Sequence, residues 1–90
     1  MKLHHKGFLL VMLSQRPLLW DTALIGQALS EYELQGRYWT NHFRIVLDEL
    51  AAAGLIKRED HRLDKQSGRL VFQYSLTAFG RQRMQDTGLL

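Results

Sequence analysis

The segment LDELAAAGLIKRED, residues 47–60, changes from a helical to a strand-like pattern without any linker. Leu47, Leu50 and Ala51 recur at the three- and four-residue spacing of one helix face. Gly54 then interrupts this spacing, and glycine takes the left-handed conformation of a helix C-terminus at little cost. Two apolar residues and a charged stretch follow. The segment therefore predicts a helix that ends at Gly54 and a strand that begins directly after it.

A second strand is predicted after a short loop. The loop LDKQSG ends at Gly68, which can supply the positive φ that a tight turn requires. Residues 55–62 and 69–76 are therefore expected to pair as a two-stranded β-hairpin. The second of these strands alternates in the manner of a half-buried strand, with Leu70, Phe72, Tyr74 and Leu76 set against Val71, Gln73 and Ser75.

The rest of the chain is predicted to be helical, apart from one short strand. Pro17 cannot continue the first helix, which is apolar almost all round and should lie at the centre of the core. Asp21 or Thr22 can cap the next helix by accepting a hydrogen bond from a free backbone N–H, and Gly36 predicts the turn before the third. The predicted order is helix 3–14, strand 18–20, helix 22–32, helix 38–53, the hairpin, and helix 78–86 capped by Thr77.

Composition limits the class of protein. Ninety residues with 46% apolar content predict one globular domain, residues 1–90, with a thin stability margin that favours a homodimer. There is no cysteine, so disulfides and thiolate chemistry are excluded and a reducing cytoplasm suits the chain. The longest apolar run, GFLLVML, is far shorter than the ~20 residues of a membrane span. We therefore expect a cytoplasmic protein without a membrane segment.

Two segments of the chain resemble the winged-helix domain of bacterial MarR and PadR regulators. LDELAAAGLIKRE, residues 47–59, is similar to the end of the recognition helix in that family. GRLVFQYSLTAFGRQ, residues 68–82, is similar to the returning wing strand, with Tyr-x-Leu-Thr-x-x-Gly opening the next helix. The resemblance implies an α+β winged helix-turn-helix fold with a three-helix core, a two-stranded hairpin wing and a short C-terminal helix. It also implies a DNA-binding transcriptional regulator that uses helix 3 in the major groove.

One departure from the family pattern lies between the second and third helices. The connection SEYELQGR is longer than a tight helix-turn-helix turn, and it carries Glu31 and Glu33. Two acidic side chains near the path of a phosphate backbone oppose DNA binding by repulsion.

The third helix supplies candidate base-reading residues. Arginine pairs bidentately with guanine, asparagine pairs with adenine, and threonine contacts a phosphate or a thymine methyl group. A tyrosine hydroxyl can also contact a phosphate. A solvated polar face, which every surface helix has, would look the same in the sequence. The candidates that the spacing places opposite the apolar face of Phe43, Val46 and Leu50 are Arg37, Thr40, Asn41 and Arg44. Tyr38 is added to them as a candidate phosphate contact.

The hairpin supplies a second set of candidates. Arg62, Lys65 and Arg69 surround its tip, where cations can contact phosphates without reading sequence. Asp60 and Asp64 are interleaved with them, so the charges are equally consistent with a hairpin edge that is simply kept soluble. The net charge of +3 and the pI near 9.6 permit nucleic-acid binding without requiring it.

Other functions find little support in the sequence. There is no P-loop, dinucleotide fingerprint or metal-ligand spacing, so we expect no enzyme, no cofactor and no metal site. Trp20 and Trp39 are expected in the core, and His4 and His5 on the surface. Two functions stay open. One is a dimeric DNA-binding regulator that reads a pseudo-palindrome in double-stranded DNA. The other is a winged-helix module that binds a protein partner.

Overall fold

The computed structural model describes residues 3–90, and within them the chain forms four helices and a three-stranded antiparallel sheet. The predicted α+β class and the order of the elements are confirmed. No helix in this part of the chain is both long enough and apolar enough to cross a membrane. The elements are α1 (His5–Gln15), β1 (Leu19–Trp20), α2 (Asp21–Glu31), α3 (Arg37–Ala52), β2 (Ile56–Asp64), β3 (Arg69–Leu76) and α4 (Ala78–Asp86).

The sheet differs from the expectation of a two-stranded hairpin, because it has three strands in the order β1-β3-β2. The short segment β1 pairs with the free edge of β3, with Leu19 opposite Tyr74 and Trp20 opposite Gln73. β2 and β3 form the predicted hairpin, with a register shift between Arg58 and Asp60. The third strand therefore ties the outer edge of the hairpin to the start of α2.

The core lies between α1, α2, α3 and the sheet. Leu9, Leu10 and Leu13 of α1 are buried, and α1 packs against the other three helices and β3, so its predicted central place is confirmed. Trp20 and Trp39 are only half-buried, so their predicted place in the core is wrong. The other buried members of the core cluster are Leu24, Ile25, Ala28, Phe43, Val46, Leu47, Leu50, Ile56, Tyr74 and Met84.

The junction between α3 and β2 has the predicted glycine geometry. Gly54 adopts a φ of +80°, directly after the C-cap of α3. The N–H of Gly54 donates to the carbonyl of Ala51, and the N–H of Leu55 donates to the carbonyl of Leu50, each at 3.0 Å. These two bonds form a Schellman motif, which satisfies the last carbonyls of the helix. The chain can therefore leave α3 and enter β2 within three residues.

The start of α4 packs directly onto this junction. Thr77 caps α4 as predicted, because its hydroxyl accepts a hydrogen bond from the N–H of Gly80 at 2.9 Å. The N–H of Thr77 donates to the carbonyl of Leu55 at 3.1 Å, and its hydroxyl lies 2.7 Å from the carbonyl oxygen of Gly54. A Cβ atom at Gly80 would lie only 2.1 Å from the carbonyl oxygen of Leu55. Gly80 therefore permits the close approach of α4 to the junction, whereas Gly54 supplies the positive φ of the junction itself.

Asp21 does not have the capping role that the sequence suggested. It is the first residue of α2, and its Oδ2 accepts a hydrogen bond from the N–H of Phe72 at 3.2 Å. Phe72 lies next to the last residue of β3 that pairs with β1. The carboxylate therefore continues the β1–β3 ladder by one bond, at the point where the chain turns from strand to helix.

Candidate nucleic-acid interface

The outer face of α3 presents a stripe of three residues at helical spacing. Tyr38 is 72% exposed and Ile45 is 58% exposed, and Asn41 lies between them. Arg37 is exposed beside this stripe. The structure thus places the predicted residues Arg37, Tyr38 and Asn41 on one accessible face, and it adds Ile45, which was not among the predicted residues. Its position, four residues after Asn41 and seven after Tyr38, was the signal that could have found it.

Asn41 and Arg44 are joined to each other. The Nη1 of Arg44 donates a hydrogen bond to the Oδ1 of Asn41 at 3.1 Å, and both side chains are half-buried. The bond holds the arginine along the side of α3 and leaves the amide group of Asn41 free to donate. Thr40 is different, because its hydroxyl donates to the carbonyl of Gly36 at 3.1 Å, which secures the first turn of the helix.

The three predicted cations of the hairpin are exposed, but they are held differently. The guanidinium of Arg62 lies over the indole ring of Trp20, 4.4 Å from its centre, as a cation–π contact. Lys65 lies in the turn and Arg69 opens β3. Both therefore extend from the end of the hairpin into solvent.

The turn of the hairpin is fixed by Asp64. Its Oδ2 accepts a hydrogen bond from the hydroxyl of Ser67 at 2.8 Å, and its carbonyl accepts from the N–H of Gly68, whose φ is +70°. The hydrogen bond from Ser67 is the main reason that the pKa of Asp64 lies below its ordinary value. This acid therefore has a structural role in the turn.

A cleft of about 110 Å³ separates α3 from the hairpin. Arg44 lines it from α3, and Leu70 and Phe72 line it from β3. Asp21 also borders it; the carboxylate is 5% exposed and its Oδ1 has no hydrogen-bond partner among the described residues. Burial raises the pKa of Asp21, although the hydrogen bond from Phe72 and the nearby arginines oppose the rise.

Arg58 connects the two walls of the cleft. One of its terminal nitrogens pairs with the carboxylate of Asp48 on α3 at 2.5 Å, and its Nε donates to the hydroxyl of Tyr74 at 3.2 Å. Its guanidinium also lies 4.1 Å from the ring centre of Phe72. The hydrogen bond to Tyr74, with support from Asp48, raises the pKa of Arg58 above its ordinary value. No sequence pattern indicated this bridge, since its members lie on three different elements.

A pair of histidines anchors the first half of α3 to α1. The Nδ1 of His5 lies 2.9 Å from the Nε2 of His42, and the ring of His5 packs edge-on against Tyr32. Burial, then the neighbouring His42 and His4, lower the pKa of His5. His5 is therefore part of a packed cluster, and its predicted place on the surface is wrong. Among residues 3–90, no group of three potential ligands is arranged to hold a metal ion.

Glu33 has an unusual backbone conformation in the connection before α3. Its φ is +55°, a region that residues with a Cβ rarely adopt. The N–H of Leu34 donates to the carbonyl of Leu29 at 2.9 Å, as in the Schellman motif after α3. The side chain of Glu33 is exposed. The residue directly follows the C-cap of α2, at the position where glycine is usual.

The sequence and structure of the chain were compared with known proteins. No protein-family model matches the chain, and neither the curated proteins nor the solved structures contain a match.

Proposed function

We propose that the chain is a winged-helix DNA-binding transcriptional regulator that places α3 in the major groove and the β2–β3 hairpin on the backbone. The observation that carries the proposal is the shared cleft, with Arg44 of α3 on one side and Leu70 of the hairpin on the other. A helix and a ribbon that flank one cleft can contact a groove and the adjacent phosphates together. The MarR and PadR resemblance of the two segments supports the same assignment.

The outer face of α3 carries side chains suited to base recognition. Arg37 is free to reach a guanine, and Asn41 retains the amide donors that an adenine accepts. Arg44 is already oriented by Asn41, so it loses less side-chain entropy on binding. Ile45 can contact a thymine methyl group, and Tyr38 can donate to a phosphate.

Two of the acidic residues on α3 and the hairpin are already engaged in contacts within the fold. Asp48 is paired with Arg58, and Asp64 is engaged in the hairpin turn. Glu49 lies in the second half of α3, where a helix that enters the groove by its first half would be leaving the duplex. Lys65 and Arg69 then dominate the end of the hairpin.

A homodimer on a two-fold symmetric site forms part of the proposal. The sequence offered no surface for it beyond apolar residues near the chain ends. Met84 is fully buried and Leu89 packs against the core, so these two do not mark an interface, whereas Leu3 and Leu90 are exposed. Light scattering at micromolar concentration, with and without duplex DNA, tests for the dimer.

A second function is favoured by a specific observation. Four of the large apolar side chains that are more than half exposed lie on α3 and the hairpin. Tyr38 and Ile45 are on α3, and Leu63 of β2 lies opposite Leu70 of β3. Apolar groups so placed suit a protein partner as well as DNA. The alternative is therefore an interaction module that uses this same surface.

Fluorescence anisotropy with a labelled duplex of random sequence distinguishes the two functions. Phosphate contacts from Arg62, Lys65 and Arg69 of the hairpin predict a slope of roughly −3 in log K against log salt for one subunit. Arg69→Ala should reduce the magnitude of this slope by ~1, from about −3 to about −2, while Arg81→Ala on α4 should leave the slope unchanged. If no binding occurs at low salt, the DNA assignment fails, and a protein partner becomes the better proposal.

A further inference from the structure

A groove between α1 and α4 lies apart from the candidate DNA surface. Its volume is about 370 Å³, which falls within the range of small-molecule sites in proteins. Residues of the first turns of α1 and the last turns of α4 form its walls, and none of the proposed DNA-contacting residues lines it.

The floor of the groove is apolar. Leu10 and Met84 are buried beneath it, and Leu55 and Leu89 are half-buried at its sides. Leu3 is 41% exposed at its edge. These side chains offer a continuous hydrocarbon surface, so the body of a ligand here would be aliphatic.

The polar lining of the groove consists of Lys6, Arg83, the ring of His4 and the hydroxyl of Thr87, so it contains cations and no acidic side chain. Neither Lys6 nor Arg83 pairs with an acid among residues 3–90. At the start of α1, the ring of His4 already accepts a hydrogen bond from the N–H of Lys6. Because the N-terminal end of α1 and the C-terminal end of α4 both border the groove, their helix dipoles oppose each other, and the charge of the groove comes from its two cationic side chains. At the end of α4, the carbonyl of Met84 already accepts a hydrogen bond from Leu89, so it does not need a ligand donor.

A glycine within α1 keeps the groove open. A Cβ atom at Gly7 would lie 3.6 Å from a methyl carbon of Leu89 and 3.9 Å from the Cβ of Leu3. Glycine destabilises a helix relative to alanine, and a Cβ atom at this position would make only ordinary van der Waals contacts, so packing alone does not require a glycine here. A larger side chain at this position would occupy the space between α1 and α4.

We infer that this groove binds a small aliphatic monocarboxylate, with its chain on the leucine and methionine floor and its carboxylate between Lys6 and Arg83. A carboxylate matches the two cations, whereas a cationic ligand would be repelled by both. This site goes beyond the proposed function and does not depend on it, because its ligand and its residues are separate from those of the DNA surface.

Isothermal titration calorimetry with octanoate, octanol and octylamine tests the site. These probes have the same chain and differ in the charge of the head group. We expect octanoate to bind at one site per chain and at least ~10-fold more tightly than the other two, as charge-assisted hydrogen bonds require. Combined Lys6→Glu and Arg83→Glu changes should reverse the preference in favour of octylamine. Both side chains are exposed, so the fold should be retained.

A cavity-filling variant provides the second test. Gly7→Leu should abolish octanoate binding without lowering the midpoint of thermal unfolding. Gly26→Leu is its matched control, since Gly26 is an exposed helical glycine at which a Cβ atom would meet nothing within 4 Å, and this variant should bind octanoate normally.

Several results would overturn the inference. Equal binding of all three probes, or no heat with octanoate, would mean that no carboxylate site exists. Normal octanoate binding by Gly7→Leu would place the ligand elsewhere. A dimer by light scattering that Gly7→Leu converts to monomer would identify a second copy of the chain as the true occupant of the groove.

Discussion

The contact between Gly80 and the α3–β2 junction offers the sharpest test of how this fold is held together. We expect Gly80→Ala to destabilise the protein, although alanine is the better helix former. The new Cβ would lie 2.1 Å from the carbonyl oxygen of Leu55, 2.9 Å from a methyl carbon of Leu76 and 3.0 Å from the carbonyl carbon of Leu55. The nearest of these obstacles is backbone, so it cannot turn aside as a flexible side chain could.

The size of the effect can be worked out from this geometry. To bring the Cβ to a distance of 3.0 Å, α4 and the junction must separate by almost 1 Å. Overpacking of this kind costs about 1–3 kcal/mol. The carbonyl of Leu55 also accepts the N–H of Thr77, and weakening that hydrogen bond adds about 1 kcal/mol. Helix propensity returns about 1 kcal/mol, so the net loss should be roughly 1–3 kcal/mol.

Urea denaturation followed by far-ultraviolet circular dichroism measures this loss. We expect a lower denaturation midpoint with an unchanged m-value, because the variant should still fold to the same structure. The matched control is Gly26→Ala in α2. A Cβ atom there meets nothing within 4 Å, so the same substitution should stabilise the protein by up to about 1 kcal/mol.

The opposite signs of the two substitutions are the essential result. If Gly80→Ala were neutral, or stabilising like Gly26→Ala, then α4 would not pack against the carbonyl of Leu55. The role assigned to the Tyr-x-Leu-Thr-x-x-Gly segment would then be wrong.

Three other features of the structure each lead to a prediction. Glu33→Gly should raise the free energy of unfolding by about 0.5–1 kcal/mol in urea denaturation, because glycine adopts a φ of +55° without strain; a decrease would contradict this. The pKa of His5 is lowered in the folded protein, so the neutral ring stabilises the fold fully above pH 6.5, and this stabilisation is lost as the pH falls through the lowered pKa. In His5→Gln, the urea midpoint should therefore depend less on pH over this range. Arg44→Ala should weaken binding to a selected DNA site by roughly 1–3 kcal/mol in anisotropy titrations with an unchanged circular dichroism spectrum, and unchanged affinity would remove Arg44 from the reading role.

Much of the fold could be predicted because its signals are local. The end of α3 at Gly54 and the turn at Gly68 depend on backbone conformations that glycine favours, and both glycines have positive φ. The alternation of residues 69–76 predicted β3 with its observed bounds. These features need only neighbouring residues, so one sequence is sufficient to find them.

The contacts that arrange the candidate site are not local. Asp21 and Phe72 are 51 positions apart, and His5 and His42 are 37 apart, so no periodic pattern in the chain connects them. Trp20 was expected in the core on account of its size. Instead it is half-buried in β1, with the guanidinium of Arg62 4.4 Å from its ring centre, and that contact again depends on which strands pair.

These long-range contacts also bear on the choice between DNA and a protein partner. The carboxylate of Asp21 holds β3 to the start of α2, and Arg58 joins the base of the hairpin to Asp48 of α3. With α4 packed on the junction at Gly54, the helix and the hairpin are fixed relative to each other before any partner arrives. A fixed distance between α3 and the hairpin avoids an entropy cost of ordering them on binding, provided that the partner is itself rigid and of constant width. A duplex meets this condition better than a flexible peptide does, so the arrangement favours DNA over a flexible peptide, while a folded protein partner would meet the condition equally well.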